Sequence, residues 1–280
     1  MRLAGKTFIV VSALCGVALP GRAETLLERG YRDMYDRQFP AAHQTFVEWQ
    51  RLHPDDPFGQ VSDAAAYLYS EFDRLHILQS EFFIHDQHFV TDRKLTPDPE
   101  VKRKFEAAIA VARRLAGRTP NDQNAMFSMV LAYGLESDYA GLIEKRWAAS
   151  FQVMKTSRQE AERLLAINPD YQDAWVAIGV ENYLLSIKPL PIRWLLRMAG
   201  GQADRALGLE RLRLAATKGH YLAPFARLLL AVAALRDKDI AQARGILKSL
   251  AREYPDNHLY VQELARLEPA GAMSREGAGK

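Results

Sequence analysis

The chain has 280 residues, of which 48% are hydrophobic and 25% are charged, with 37 lysine and arginine residues against 34 aspartate and glutamate residues. A chain of this length and apolar content can bury a large core. The first 23 residues carry three basic and no acidic side chains, so the remaining chain holds 34 of each sign. Because this remainder is neutral overall, its charge gives no support to nucleic acid as a partner, and we predict none.

Residues 1–23 have the pattern of a secretory signal peptide. Arg2 and Lys6 give a basic start, residues 7–19 are mostly apolar, and small residues stand at the minus-three and minus-one positions of a cleavage site after Ala23. The apolar run is shorter than the roughly 20 residues needed to cross a bilayer. We therefore expect cleavage after Ala23 and a periplasmic or secreted protein; the alternatives are a buried first helix and a membrane anchor.

The single cysteine, Cys15, lies inside this predicted signal peptide. The mature chain is therefore predicted to contain no disulfide bond. Its fold must then be held together by packing alone.

Four proline-containing strings divide the rest of the chain, and each follows an amphipathic stretch. Proline stops a helix, and the neighbouring Asp or Asn can cap the next one. The prolines are 66, 49 and 86 residues apart, which correspond to two units of 34 residues less 2, one unit plus 15, and two units plus 18. This period predicts helix-turn-helix repeats. The strings are His53-Pro54-Asp55-Asp56, Thr119-Pro120-Asn121-Asp122, Asn168-Pro169-Asp170-Tyr171 and Tyr254-Pro255-Asp256-Asn257.

The segments before these prolines share the spacing of the second helix of a repeat. A small residue is followed by a large or apolar one four positions later, an apolar one after three more and proline after five more. Gly30 begins the motif of the first repeat, and glycine in a first helix, as at Gly179, predicts a point where two helices approach closely. The matching sets are Ala42-Phe46-Trp49-Pro54, Ala108-Ala112-Leu115-Pro120, Ser157-Ala161-Leu164-Pro169 and Ala243-Leu247-Leu250-Pro255.

Trp175, Ile178 and Gly179 match the tetratricopeptide motif W-x2-L-G-x2-Y, with Asn182 at the tyrosine position and Tyr183 directly after it. With these motifs and joints, the chain resembles the tetratricopeptide repeat family. The resemblance implies an all-α fold, a right-handed α-solenoid of helix-turn-helix repeats in which each hairpin is covered by its neighbours.

The repeat domain is predicted to span residues 24–267 and to contain helical insertions. Three segments exceed the repeat length, and insertions in repeat proteins tend to lie on one face. His258–Leu267 predicts a short helix that closes the array, and the composition of residues 268–280 predicts a disordered tail. The long segments lie near 73–96, 134–157 and 185–205.

His76, His85 and His88 form the one local group of metal-ligand residue types. They support an alternative in which the protein is a metal-dependent hydrolase. The group lacks the spacings typical of zinc sites, and the chain contains no nucleophile elbow or phosphate-binding loop. Its aromatic neighbours favour a partly buried insert instead, and we predict no catalytic residue, no metal and no cofactor. These neighbours are Phe82, Phe83 and Phe89.

Residues 184–198 combine apolar bulk, two prolines and three positive charges. Trp194, Leu195, Arg193 and Arg197 are candidate membrane contacts, because this composition is typical of a helix at a membrane interface. In the alternative interpretation, Trp194 and Leu195 pack on the solenoid while the arginines face water.

The resemblance implies that first helices line a concave groove that binds a segment of a partner protein. We therefore expect an exported, non-enzymatic scaffold for a protein or peptide, with a membrane surface as a further contact. In the alternative, the inserts fill the groove. The sequence does not indicate an oligomeric state. The predicted groove residues are mostly apolar: Tyr31, Met34, Tyr35, Asn124, Phe127, Leu131, Val180, Tyr183, Phe225 and Leu228.

Overall fold

A computed structural model describes residues 24–79 and 95–267 of the chain. Within these two ranges it contains twelve α-helices, one π-helical turn and one 3-10 turn, and no strand. The predicted all-α class is confirmed. The predicted signal peptide and tail, together with His85 and His88, lie outside the described residues.

Most helices pack as hairpins in chain order, and neighbouring hairpins pack against one another. These contacts fit a helical solenoid. The first three hairpins are α1 (Leu26–Tyr35) with α2 (Phe39–Leu52), α3 (Pro57–Arg74) with α4 (Pro99–Ala116), and α5 (Gln123–Asp138) with α6 (Trp147–Ile167). The next two are α7 (Trp175–Ser186) with α9 (Arg205–Lys218) and α10 (Ala223–Arg236) with α11 (Ile240–Glu253). The remaining helices are α8 (Leu190–Met198), inserted between α7 and α9, and α12 (His258–Arg266), which packs on α11.

The predicted joints are confirmed, because a helix ends before each of the four prolines. Asp56 accepts a hydrogen bond from the backbone amide of Phe58 at the start of α3, and Asp122 caps α5 by accepting from the amide of Ala125. Asn257 does the same for Leu259 at the start of α12. These caps satisfy backbone donors that the first turn of a helix leaves without a partner.

Several glycines lie where helices touch. A Cβ atom on Gly30 would stand 2.3 Å from a ring carbon of Phe46, and one on Gly179 would stand 2.8 Å from Leu212. Gly179 faces Gly208 of α9, where a Cβ atom would stand 2.6 Å from the backbone nitrogen of Tyr183. The predicted close approach at Gly179 is therefore confirmed, and it depends on a second glycine that the sequence patterns did not single out.

The first and last hairpins meet, so the array closes on itself. The Tyr35 hydroxyl donates to the backbone carbonyl of Tyr221 at 3.0 Å, and the Asn257 side-chain amide donates to the carbonyl of Tyr35 at 2.7 Å. The Glu28 carboxylate lies 2.8 Å from Nε2 of His220. One continuous apolar core runs from α1 to α12. The inner faces of the first helices therefore face one another across a central space.

The segments predicted as insertions have three different structures. Only part of the segment near 73–96 is described, because residues 80–94 lie outside the described ranges. The segment near 134–157 lengthens one hairpin, since α5 continues into the π-helical turn Tyr139–Ile143 and α6 begins at Trp147. The segment near 185–205 contains α8.

Candidate functional site

The inner faces of the helices surround an apolar cavity with two adjoining chambers, of about 130 Å³ and about 90 Å³. Six residues contribute to the wall of both chambers, and five of them are apolar or aromatic, while the sixth carries a carboxyl group. These shared residues are Met34, Tyr35, Tyr69, Asp138, Val180 and Phe225.

The structure brings most of the predicted groove residues together around this cavity. Asn124 does not reach it, because it is exposed and bonded to the Tyr171 hydroxyl. Phe127 is fully buried beside the rings of Phe58 and Tyr171. The long segments contribute Leu78 and Leu142 to the wall. Eight of the ten line the cavity: Tyr31, Met34, Tyr35, Leu131, Val180, Tyr183, Phe225 and Leu228.

Asp138 is unusual among the residues of this cavity, because it places a carboxyl group in a mostly apolar wall. It shares one face of α5 with Leu131 and Gly134, which also line the second chamber. Its side chain is partly buried and faces the cavity, and desolvation raises the pKa of Asp138 from 3.8 to about 7. The carboxyl makes no hydrogen bond or ion pair within the part of the chain that the structure describes. Burial, with the nearby Asp138 charge, also raises the pKa of Tyr69 well above its usual value.

The other charged residues of the first chamber have partners elsewhere or lie away from Asp138. Arg37 pairs with Asp73 at 2.7 Å, and Glu263 pairs with Arg266 at 2.8 Å. Arg236 also lines this chamber but forms no ion pair with Asp138. No neighbouring cation therefore offsets the effect of burial on the pKa of Asp138.

Asp173, in the second chamber, has a structural function. Its carboxylate accepts hydrogen bonds from the backbone amides of residues 220–222, at 2.8 to 3.2 Å. It therefore anchors the turn that leads into α10, and its oxygens are occupied. Unlike Asp173, Asp138 receives no hydrogen bond to its carboxyl oxygens from any described residue.

The sequence patterns missed Tyr69, Phe72 and Asp138. Tyr69 lies 34 residues after Tyr35, so one repeat period from a predicted groove residue would have located it. Asp138 gave no comparable signal. An acidic residue near the end of a helix has the same appearance in a sequence whether it faces water or a cavity.

Helix α8 is the second unusual feature, because none of its residues is buried. The α8 surface consists of its exposed apolar side chains, Leu190, Ile192, Trp194, Leu195 and Met198, whose exposed fractions range from 48% to 71%. Trp194 and Leu195 are 62% and 59% exposed. The alternative interpretation, in which these two side chains pack on the solenoid, is therefore wrong.

Positive charge surrounds the α8 surface. Arg193 donates to the Ser186 carbonyl at 3.1 Å, and Arg197 donates to the Ala203 carbonyl at 2.6 Å. Both guanidinium groups are therefore held in place while keeping their charge. Lys155 donates to the carbonyl of Ala199 directly after the helix. Residues 182–203 contain no acidic residue.

A buried polar network fixes the loop that follows α8. The Glu181 carboxylate is fully buried, lies 3.0 Å from Arg158 and accepts a hydrogen bond from the backbone amide of Gln202 at 2.9 Å. Asn182 accepts from the amide of Asp204 at 3.1 Å. The loop that follows α8 is thus attached to α6 and α7, while the outer face of α8 remains exposed.

Among the described residues, no three His, Cys, Asp or Glu side chains are grouped so that they could hold a metal ion. His76 lies at the end of the first described range, 3.4 Å from the Gln79 side-chain amide. None of the described helices is both long enough and apolar enough to span a bilayer. Comparison of the chain with protein-family models, curated proteins and solved structures gave no match.

Proposed function

We propose that this protein is an exported, non-enzymatic scaffold of the tetratricopeptide class that attaches to an anionic membrane surface through α8. The hairpin order, the four joints and the Gly179 contact support this repeat type. The predicted signal peptide supports export to the periplasm or beyond. The single observation that carries the proposal is the α8 surface itself, since grouped and exposed apolar side chains mark an interaction site.

The chemistry of the α8 surface favours lipid as the partner. Leu190, Trp194 and Met198 are four residues apart and share one helix face, so they can enter a bilayer interface together. Arg193 and Arg197 lie on the same helix and Lys188 precedes it in the sequence, and each basic residue near an anionic bilayer contributes about 1 kcal/mol of attraction. Because residues 182–203 contain no acidic residue, the charge of this segment complements an anionic membrane.

The test measures binding of the full chain to sedimented vesicles, with and without anionic phosphatidylglycerol. We expect binding to the anionic vesicles that weakens as salt is raised. The double variant Trp194→Ala, Leu195→Ala should bind at least tenfold more weakly, because it removes two side chains that the interface would bury. Ile167→Ala is the matched control, since Ile167 is also 59% exposed but lies on α6.

Two outcomes would overturn membrane attachment. In the first, the double variant and the control bind vesicles equally. In the second, neither form binds vesicles, while the wild type alone forms a stable complex with a purified envelope protein. The α8 surface would then be a protein interface.

A second candidate function is to hold part of a partner protein at the inner face. One observation favours this function: eight of the ten predicted groove residues lie together on the cavity wall, among them Val180, Phe225 and Leu228. The chambers are too small for a helix or an extended segment. The partner would therefore contribute a side chain, while its backbone stays outside the array.

A further inference from the structure

We propose that the cavity binds a small apolar amine, whose ammonium group pairs with the carboxylate of Asp138. This inference treats the inner face as a binding site and is independent of membrane attachment through α8. It names the occupant by its chemistry, an apolar body of about six or seven non-hydrogen atoms with one terminal positive charge.

The size of the cavity sets the size of the ligand. The larger chamber, of about 130 Å³, is close to the roughly 150 Å³ of an engineered protein cavity that holds benzene. Its walls are aromatic and aliphatic, and they include Tyr69, Phe72, Val180, Phe225 and Leu228. A six-carbon chain or one aromatic ring therefore fits one chamber.

The carboxyl sets the charge of the ligand. An ionised carboxylate without a partner in an apolar cavity is strongly destabilised, and a hydrogen-bonded cation at the same place removes most of that penalty. Asp138 contributes to both chambers, so an ammonium group could reach it from either one. An anionic ligand would be repelled, and a neutral one would leave the carboxyl without a partner.

No charged side chain of the described cavity wall occupies the position of a cation next to the Asp138 carboxylate. Arg37 is held by Asp73, and Arg236 forms no ion pair with Asp138. The Asp173 carboxylate is occupied by backbone amides, and Glu263 is paired with Arg266. Among the described lining residues, Asp138 is therefore the carboxyl that is available to pair with a cation in the cavity.

The experiment compares three probes of equal chain length on the full chain at pH 7.5 by titration calorimetry. The probes are n-hexylamine, n-hexanol and hexanoate, which are cationic, neutral and anionic. We expect n-hexylamine to bind at least tenfold more tightly than n-hexanol and hexanoate to bind least. This comparison is made on the wild-type protein, so it does not depend on the folding of any variant.

Asp138→Asn should abolish the preference for n-hexylamine, because it removes the charge and keeps the shape of the side chain. Asp170→Asn, at an exposed position, is the matched control and should retain the preference. Equal binding of n-hexylamine and n-hexanol to the wild type, or no binding of either, would overturn the proposal. So would a preference that persists in Asp138→Asn. Binding of a lysine peptide but not of n-hexylamine would replace the small amine with a protein partner.

Discussion

Replacing Gly208 with alanine should lower the free energy of unfolding by about 3 kcal/mol or more. The new Cβ atom would stand 2.6 Å from the backbone nitrogen of Tyr183 and 3.0 Å from the carbonyl oxygen of Gly179. Both contacts are with backbone, so no side-chain rotation can relieve them, and α7 and α9 must separate. Overpacking of this kind typically costs 1–3 kcal/mol and sometimes more.

Gly245→Ala is the matched control, because Gly245 lies on α11 and a Cβ atom there meets nothing within 4 Å. Alanine is the better helix former, so this variant should be more stable by about 0.5–1 kcal/mol. Chemical denaturation of both variants gives the comparison. If Gly208→Ala were tolerated as well as Gly245→Ala, α7 and α9 could not pack as closely as described.

Replacing Glu181 with alanine should cost about 3–5 kcal/mol of stability, the usual loss when one partner of a buried ion pair is removed. Arg158 is only 6% exposed and would keep one carboxylate neighbour, Glu162 on its own helix. The amide of Gln202 would lose its acceptor, which frees the loop after α8. Limited proteolysis near residue 200 should therefore accelerate together with the loss of stability.

Glu160→Ala tests whether this loss is specific to the buried pair. Glu160 also pairs with an arginine, Arg163, but that guanidinium is 57% exposed. Surface pairs contribute about 0–1 kcal/mol, so this variant should remain near the wild type in both measurements. If Glu160→Ala and Glu181→Ala lowered the free energy of unfolding equally, the buried network would not fix the loop after α8.

Much of the helical array could be predicted from the sequence, because its signals are local. The residues next to the four prolines determine where helices end and begin, and Gly179 marks a contact that needs the absence of a side chain. The repeat register also placed residues such as Val180 and Phe225 on the inner face. All of these follow from spacings within one or two hairpins.

The closure of the array and the properties of the cavity could not be predicted in this way. The contact between Tyr35 and Tyr221 spans 186 residues and depends on small rotations that accumulate over every hairpin. The position of Asp138 on the wall of both chambers is a consequence of that closure. The buried network of Glu181 with Arg158 and the Gln202 amide, which holds the loop after α8, is likewise revealed by no local pattern.

These two features divide the molecule into an outer and an inner interaction site. The α8 surface is rich in apolar and positively charged groups and faces outward. The cavity is mostly apolar, and Asp138 lies on the wall of both of its chambers. A scaffold of this kind could be held at a membrane by one site while the other remains available, since α8 does not line either chamber.

The most direct test of membrane attachment is the environment of residue 195 in the presence of vesicles. With Cys15 replaced by serine, Leu195→Cys can be labelled with an environment-sensitive fluorophore, and Ile167→Cys provides the matched site. We predict a blue shift at residue 195, and none at residue 167, when anionic vesicles are added. An unchanged spectrum at residue 195, or equal shifts at both positions, would contradict attachment through α8.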